Sequence, residues 1–322
     1  MKFAVLGAGA VGGYFGACLA RAGHEVHFLA RGEHGEAIRT AGIRIREPEG
    51  DWTERIPVAP RAEELPPVDF AILAVKSYSL REIAPSARRV AGDGAVILPL
   101  LNGVEAFDFL VAEKIPRGAV LPGLAVISAE RTAPGEVTRW SAFRSVVLGE
   151  QGGGRSNRAE SVVAAFAETG CEARVSEDIS VDLWRKFLFL AAMAGACGLA
   201  RTSIGPVRTA PLGASLLKEA IGEIAAVGRA RGIRIPEGEQ DRVLERMLAL
   251  PAGMKPSFLL DLERGGPTEL DVLSGAVARY GRESGVPTPV HDTFTAALSA
   301  SLGLQGPEEG TQIPPARDPT FA

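Results

Sequence analysis

Lys2-Phe3-Ala4-Val5-Leu6-Gly7-Ala8-Gly9-Ala10-Val11-Gly12 follows the first residue of the chain. Lys2–Leu6 has the apolar run of a buried strand, and Val11–Ala22 reads as a helix closed by Gly23. Between them the glycines are spaced G-x-G-x-x-G. That order of strand, glycine turn and helix has a physical use. Gly7 permits a tight turn, Gly9 lets the backbone approach a pyrophosphate, and Gly12 lets the helix pack closely on the strand. The helix N-terminus then offers free N–H groups and partial positive charge to phosphates. Gly7, Gly9, Ala10, Val11 and Gly12 are therefore the expected cofactor contacts of a Rossmann-type unit.

The end of the second strand, Glu25–Leu29, discriminates between cofactors. An acidic residue there would accept from a ribose 2′-hydroxyl; this chain has Arg31, nineteen residues after Gly12. A guanidinium grips a 2′-phosphate that an acid would repel, so NADP(H) is expected over NAD(H).

Further strands are expected at Val68–Val75 and Ala95–Leu101, alternating with helical stretches as in a parallel sheet covered on both faces. The Pro134-Gly135 turn predicts a hairpin, with Trp140 packed in or near it, then a strand at Ser145–Gly149 and a helix at Asn157–Thr169. Beyond Asp178, a helix N-cap, the patterns are helical: to about Leu199, then Pro211–Arg231, Glu237–Leu250, a helix from the capping-box sequence Thr268-Glu269-Leu270-Asp271 to about Ser284, and Val290–Leu302. His291 is expected to cap the last of these. The expected units are residues 1–175, α/β, and 176–303, all-helical, with a disordered tail at 304–322.

Composition excludes other classes. Of the 322 residues, 46% are hydrophobic and 23% charged, with a net charge of −4, so no footprint for nucleic acid or an anionic membrane stands out. The uncharged run Phe187–Ala200 is shorter than the roughly 20 residues of a membrane span. Three cysteines without a C-x-x-C pair, and four histidines without ligand spacing, point to a reduced, cytoplasmic protein with no metal. Cys18, in the first helix, reads as a small core residue.

Only six lysines and two asparagines occur, so their placement is informative. Lys76 and Asn102 end two of the strands, where open parallel sheets bind ligands. Lys186 enters an apolar helix, Leu183-Trp184-Arg185-Lys186-Phe187-Leu188; it either snorkels to solvent or sits in a cleft with a lowered pKa, which suits proton transfer. On spacing alone, Ser257 reads as an N-cap and Glu269 as a favourable charge at a helix start.

Together these pieces resemble the ketopantoate reductase (2-dehydropantoate 2-reductase) family: the glycine motif, Ala74-Val75-Lys76, Leu101-Asn102-Gly103-Val104, Ile127-Ser128-Ala129-Glu130-Arg131, Trp184-x-Lys186-Phe187 and Pro267-Thr268-Glu269-Leu270-Asp271, in family order over about residues 1–300. The resemblance implies an N-terminal α/β Rossmann domain plus an all-α domain like the C-terminal domain of 6-phosphogluconate dehydrogenases, with the active site between them. It also implies NADPH-dependent reduction of a 2-oxo acid and, through the helical domain, a possible homodimer. By the same resemblance Lys186 is the proton donor and Glu269 completes the closed site. Lys76 and Asn102 hold the nicotinamide ribose and the reacting end of the substrate, Ser257 lies near the substrate carboxylate, and Ala129 offers a backbone contact to the nicotinamide. The family helix resembles W-x-K-x-x-x-N-x-x-x-N, and here the asparagine positions are Leu190 and Ala194, so a less polar 2-oxo acid or another ketone fits that wall as well. A non-catalytic NADP-binding sensor would not need Lys186 and Glu269. The lysine helix of 6-phosphogluconate dehydrogenase relatives, G-x-x-x-K, fails at Asp182.

Overall fold

The structure is a computed structural model, and it describes residues 1–304. The expected disordered tail thus lies, apart from Leu304, outside the described residues.

The first part is built on two sheets. Its strands are β1 (Lys2–Leu6), β2 (Glu25–Leu29), β3 (Ile43–Arg46), β4 (Trp52–Glu54), β5 (Val58–Ala59), β6 (Phe70–Leu73), β7 (Val96–Pro99), β8 (Gly123–Ala133), β9 (Glu136–Leu148) and β10 (Glu172–Val175). Its helices are α1 (Ala10–Arg21), α2 (Gly32–Ala41), α3 (Leu80–Gly92), α4 (Ala106–Ala112) and α5 (Asn157–Glu168). The five strands β5-β2-β1-β6-β7 form an all-parallel sheet. Alternation along β1 sends Phe3 and Val5 into one core, with Tyr14 and Phe15 of α1, and Ala4 and Leu6 into another beneath α3 and α4. The second sheet, β10-β9-β3-β4 with β8 beside β9, is mixed.

The hairpin at Pro134-Gly135 forms as the sequence predicts, but its second strand is one continuous β9, and Trp140 on it is 63% exposed rather than packed. Between Ile127 and Ala129 the pairing is interrupted by a bulge of β9, whose residues 140–143 stand opposite the single Ser128 of β8. It is held by Ser141 Oγ, which accepts from Ser128 N–H at 3.0 Å.

From Ile179 the chain is helical: α6 (Ile179–Ala200), α7 (Ile204–Thr209), α8 (Gly213–Ala230), α9 (Glu239–Leu248), α10 (Ser257–Glu263), α11 (Ala276–Ser284) and α12 (Pro289–Ser301). Asp178 caps α6, its carboxylate accepting from Val181 N–H. The run Phe187–Ala200 is only the end of this 22-residue helix. By length and mean hydropathy (1.3) α6 could cross a membrane, yet 61% of that window is buried inside the fold as the core of the helical part. The long helix expected over Pro211–Arg231 forms as α8, and the short α7 precedes it. His291 does not cap α12. It is fully buried against Phe294 and bonds the carbonyl of Ala220 through Nε2 at 3.1 Å, while Glu223 accepts the N–H groups of Val290 and His291. Burial lowers the His291 pKa to about 4, so the ring is neutral. Cys18 is buried, as expected of a core residue, and burial pushes its thiol up to about 11.

Candidate active site between the two halves

The glycine turn has the form its spacing predicts. Gly7 has φ +102°, and a side chain there would strike Val75. A Cβ on Gly12 would stand 2.1 Å from the Gly7 carbonyl oxygen, so α1 can lie against β1 only without one. Around Gly9, by contrast, there is open space, and Gly9 leads into α1 with no side-chain cap on the first N–H groups. Ala10 and Val11 form the first turn. Open space in front of uncapped donors fits a pyrophosphate, and the residues present match a dinucleotide.

Arg31 ends the stretch after β2 and lines a cavity of about 410 Å³ with Glu33, His34, Arg131, Thr132, Ala133 and Pro134. Its guanidinium pairs with Glu82 at 2.5 Å, both side chains being mostly exposed. Arg131 brings a second guanidinium to the same cavity, and the sequence reading passed over it. His34 is buried and bridges two segments: Nε2–H donates to Ala8 O at 2.6 Å and Nδ1 accepts from Gly135 N–H at 2.9 Å. Only the neutral ring can make both bonds, and burial, aided by the nearby Arg131, keeps its pKa below the ordinary value.

At the carboxyl ends of β6 and β7 the two halves meet. Glu269 is 3% exposed. Its oxygens accept from Ser77 N–H at 3.1 Å and from Asn102 Nδ2 at 3.0 Å, and Lys76 Nζ stands 3.7 Å away. With the Asn102 amide turned this way, its Oδ1 accepts from Lys186 Nζ at 3.2 Å. A single chain of hydrogen bonds thus runs from the first sheet through Glu269 and Asn102 to the lysine of α6. Gly103, φ +86°, makes this approach possible, since a Cβ there would press on the backbone of Val272 at 3.1 Å.

The capping-box expectation for Thr268–Asp271 is overturned. The segment opens with a π-turn over Asp271–Gly275, and the Glu269 side chain is committed to Ser77 and Asn102 rather than to the helix start. Ser257 is not an N-cap either: Pro256 occupies that position, and Ser257 is the exposed first residue of α10. One turn along the same face stands Asp261, which accepts from Lys76 Nζ at 2.6 Å. Asp261 was missed in the sequence, and the four-residue spacing from Ser257 was the signal that could have found it. Ala129 lies on β8 where pairing resumes after the β9 bulge, partly buried, outside this hydrogen-bonded chain.

The two lysines are tuned in opposite directions. Burial opposes the charge of Lys76, but Glu269 and Asp261 outweigh it and hold the ammonium above its ordinary pKa. Burial pushes Lys186 down to about 8, and Glu269 only partly opposes this. Lys186 therefore stays charged near neutrality yet can release its proton, as a proton donor requires.

Two family models match, one described as ketopantoate reductase PanE/ApbA over residues 3–153 and one as its C-terminal part over 178–301. Among curated relatives, an uncharacterized oxidoreductase of Bacillus subtilis, YkpB, is 33% identical over 92% of this chain and 98% of its own length. A 2-dehydropantoate 2-reductase of Halobacterium salinarum is 31% identical over 91% of this chain and 96% of its own. The crystal structure of a 2-dehydropantoate 2-reductase from Methylococcus capsulatus superposes with a TM-score of 0.85 at 29% identity, covering 96% of this chain and 100% of that one. With both of its halves matched in order, the chain belongs to the ketopantoate reductase PanE/ApbA family and is an oxidoreductase of that family.

Proposed function

We propose that this protein is a cytoplasmic enzyme that reduces a 2-oxo acid with NADPH, 2-dehydropantoate to pantoate being the leading reaction, in pantothenate biosynthesis. The observation that carries the reading is the bond from Lys186 to Asn102, which brings a lysine of lowered pKa to the carboxyl ends of the parallel strands. Relatives that carry the name 2-dehydropantoate 2-reductase along most of this chain support the substrate.

NADPH, when bound, supplies the hydride for the ketone carbon. Gly7, Gly9, Ala10, Val11 and Gly12 would hold the pyrophosphate, with Arg31 and Arg131 at the 2′-phosphate. The Arg31–Glu82 pair is exposed, so giving it up costs at most about 1 kcal/mol, less than a charge-assisted bond to phosphate returns. Lys76 and Asn102 would position the nicotinamide ribose and the substrate carbonyl, Ser257 the substrate carboxylate, and Ala129 the nicotinamide through its backbone. As the carbonyl becomes an alkoxide, the Lys186 ammonium stabilises the charge and gives up its proton to the oxygen. Glu269, hydrogen-bonded to Asn102, keeps that amide oxygen turned toward Lys186.

The test is loss of NADPH absorbance with 2-dehydropantoate in wild type and in Lys186→Ala. The variant should lose about 10²–10⁴ in kcat while still binding NADPH. Unchanged turnover would remove Lys186 from the role, and absence of turnover in the wild type with bound NADPH would favour a cofactor sensor.

A further inference from the structure

The cavity beside Arg31 has two walls from distant parts of the chain. One is the start of α2, with Arg31, Glu33 and His34; the other is the end of the β8–β9 hairpin, with Arg131, Thr132, Ala133 and Pro134. Two guanidiniums against one carboxylate make the cavity a place for an anion. His34 ties both walls to the glycine turn. Its Nε2–H donates to the carbonyl of Ala8 at 2.6 Å, and its Nδ1 accepts the N–H of Gly135 at 2.9 Å. The peptide between Ala8 and Gly9 is planar and trans, so anchoring that carbonyl also sets the Gly9 N–H, which points the opposite way. A Cβ on Gly9 would meet nothing, and its N–H finds no acceptor among the described residues. At the other end of the ring, the carbonyl of Gly135 accepts from Arg44 N–H at 2.8 Å, and a Cβ on Gly135 would stand 3.0 Å from that of Ala37 on α2. The hairpin is thus tied to β3 without the ring. What the ring adds is the spacing between the hairpin end, which carries Arg131, and the glycine turn.

We infer that His34 is a positioning residue for the cofactor: one rigid ring spaces the pyrophosphate donors of the glycine turn against the Arg131 guanidinium, so that a dinucleotide with a 2′-phosphate is held at both points at once. This rests on the NADPH reading and deepens it. Both ring nitrogens are already bonded within the protein, so His34 acts through Ala8 and Gly135 and not as a ligand. Setting two contacts in advance spares the ordering that binding would otherwise have to impose.

The experiment measures Kd for NADPH and for NADH, by the nicotinamide fluorescence of each and well below Tm, in wild type, His34→Gln, His34→Asn and Arg131→Ala. A glutamine amide reaches as far as Nε2 and keeps the bond to Ala8; an asparagine amide reaches as far as Nδ1 and keeps the bond from Gly135. His34→Gln should raise the NADPH Kd about 3–10-fold, one ordinary hydrogen bond, and leave the NADH Kd unchanged. Arg131→Ala should show the same selective loss. His34→Asn releases the glycine turn and should raise both Kd values together by about the same factor. A merely structural histidine would lower Tm in both His34 variants and leave every Kd at its wild-type value, which would overturn the inference. So would a His34→Gln that weakens NADH as much as NADPH. A wild type that binds NADH as tightly as NADPH would overturn the 2′-phosphate reading and the hairpin arm with it, and an unchanged NADH Kd in His34→Asn would overturn the glycine-turn arm.

Discussion

With Lys186 in the proposed role of proton donor, the pH dependence of the reduction follows that residue's protonation. An ordinary lysine loses its proton at 10.5, and burial brings Lys186 to about 8. With that midpoint the ammonium is about nine-tenths populated at pH 7 and about one-tenth at pH 9. The group must enter the reaction protonated, so kcat/KM for reduction should be level below neutrality and fall about tenfold per pH unit well above 8. The oxidation direction needs the free amine and should rise through the same midpoint. Because kcat/KM reports the enzyme before the 2-oxo acid binds, it is the quantity in which the break is read. Glu269 raises the Lys186 pKa, so Glu269→Gln should move the break to lower pH. Lys186→Arg keeps a permanent charge that cannot serve as the acid, and should give a low, flat profile. The assay is initial NADPH consumption between pH 6 and 10. A wild-type profile level to pH 9.5, or an unmoved break in Glu269→Gln, would refute the assignment of the proton to Lys186.

Three further outcomes follow from the cofactor side. Arg31→Ala should raise the NADPH KM about 10–100-fold, the loss of one charge-assisted bond, and leave the NADH KM nearly unchanged; equal effects on both would contradict a 2′-phosphate contact. Gly12→Ala places a Cβ against the Gly7 carbonyl oxygen and should cost about 1–3 kcal/mol or more, seen as a lower Tm by calorimetry. His34 is held neutral with its pKa below 6.5, so the unfolded chain takes up its proton first and stability falls as pH drops through and below about 6.5. His34→Gln should make Tm less steep between pH 7 and 5 than in wild type, with the remaining slope coming from buried His291, which contributes the same sign of change from about 6.5 down to about 4.

What could be read from the sequence was whatever depended on local pattern. The strand, turn and helix at Lys2–Gly12 left little choice, because a buried strand running into spaced glycines has few other uses. Lys76 and Asn102 were legible from rarity and from their place at strand ends. Of the second sheet, the hairpin at Pro134-Gly135 and the strand at Ser145–Gly149 were legible, but β3 and β4 were not, nor was β5 of the first sheet; these are two to four residues long, too short for alternation to register, and they form where β9, β3 and β2 offer edges to pair with. The misreadings at Thr268 and Ser257 share a cause. Both segments carry residues that could satisfy a helix start locally, and a local reading assigns them there. In the fold, Ser77 and Asn102 arrive from 192 and 167 residues away and claim the Glu269 carboxylate, while Lys76 claims Asp261 across 185 residues. A carboxylate drawn from its own helix N-terminus to partners so distant in sequence is a local pattern set aside for a tertiary one. Such departures concentrate where a chain brings charged groups together for chemistry. By that standard the π-turn beginning at Asp271 is part of the candidate site's construction: the chain forgoes a regular helix start there, and the side chain thereby freed is the one that orients Asn102 toward Lys186.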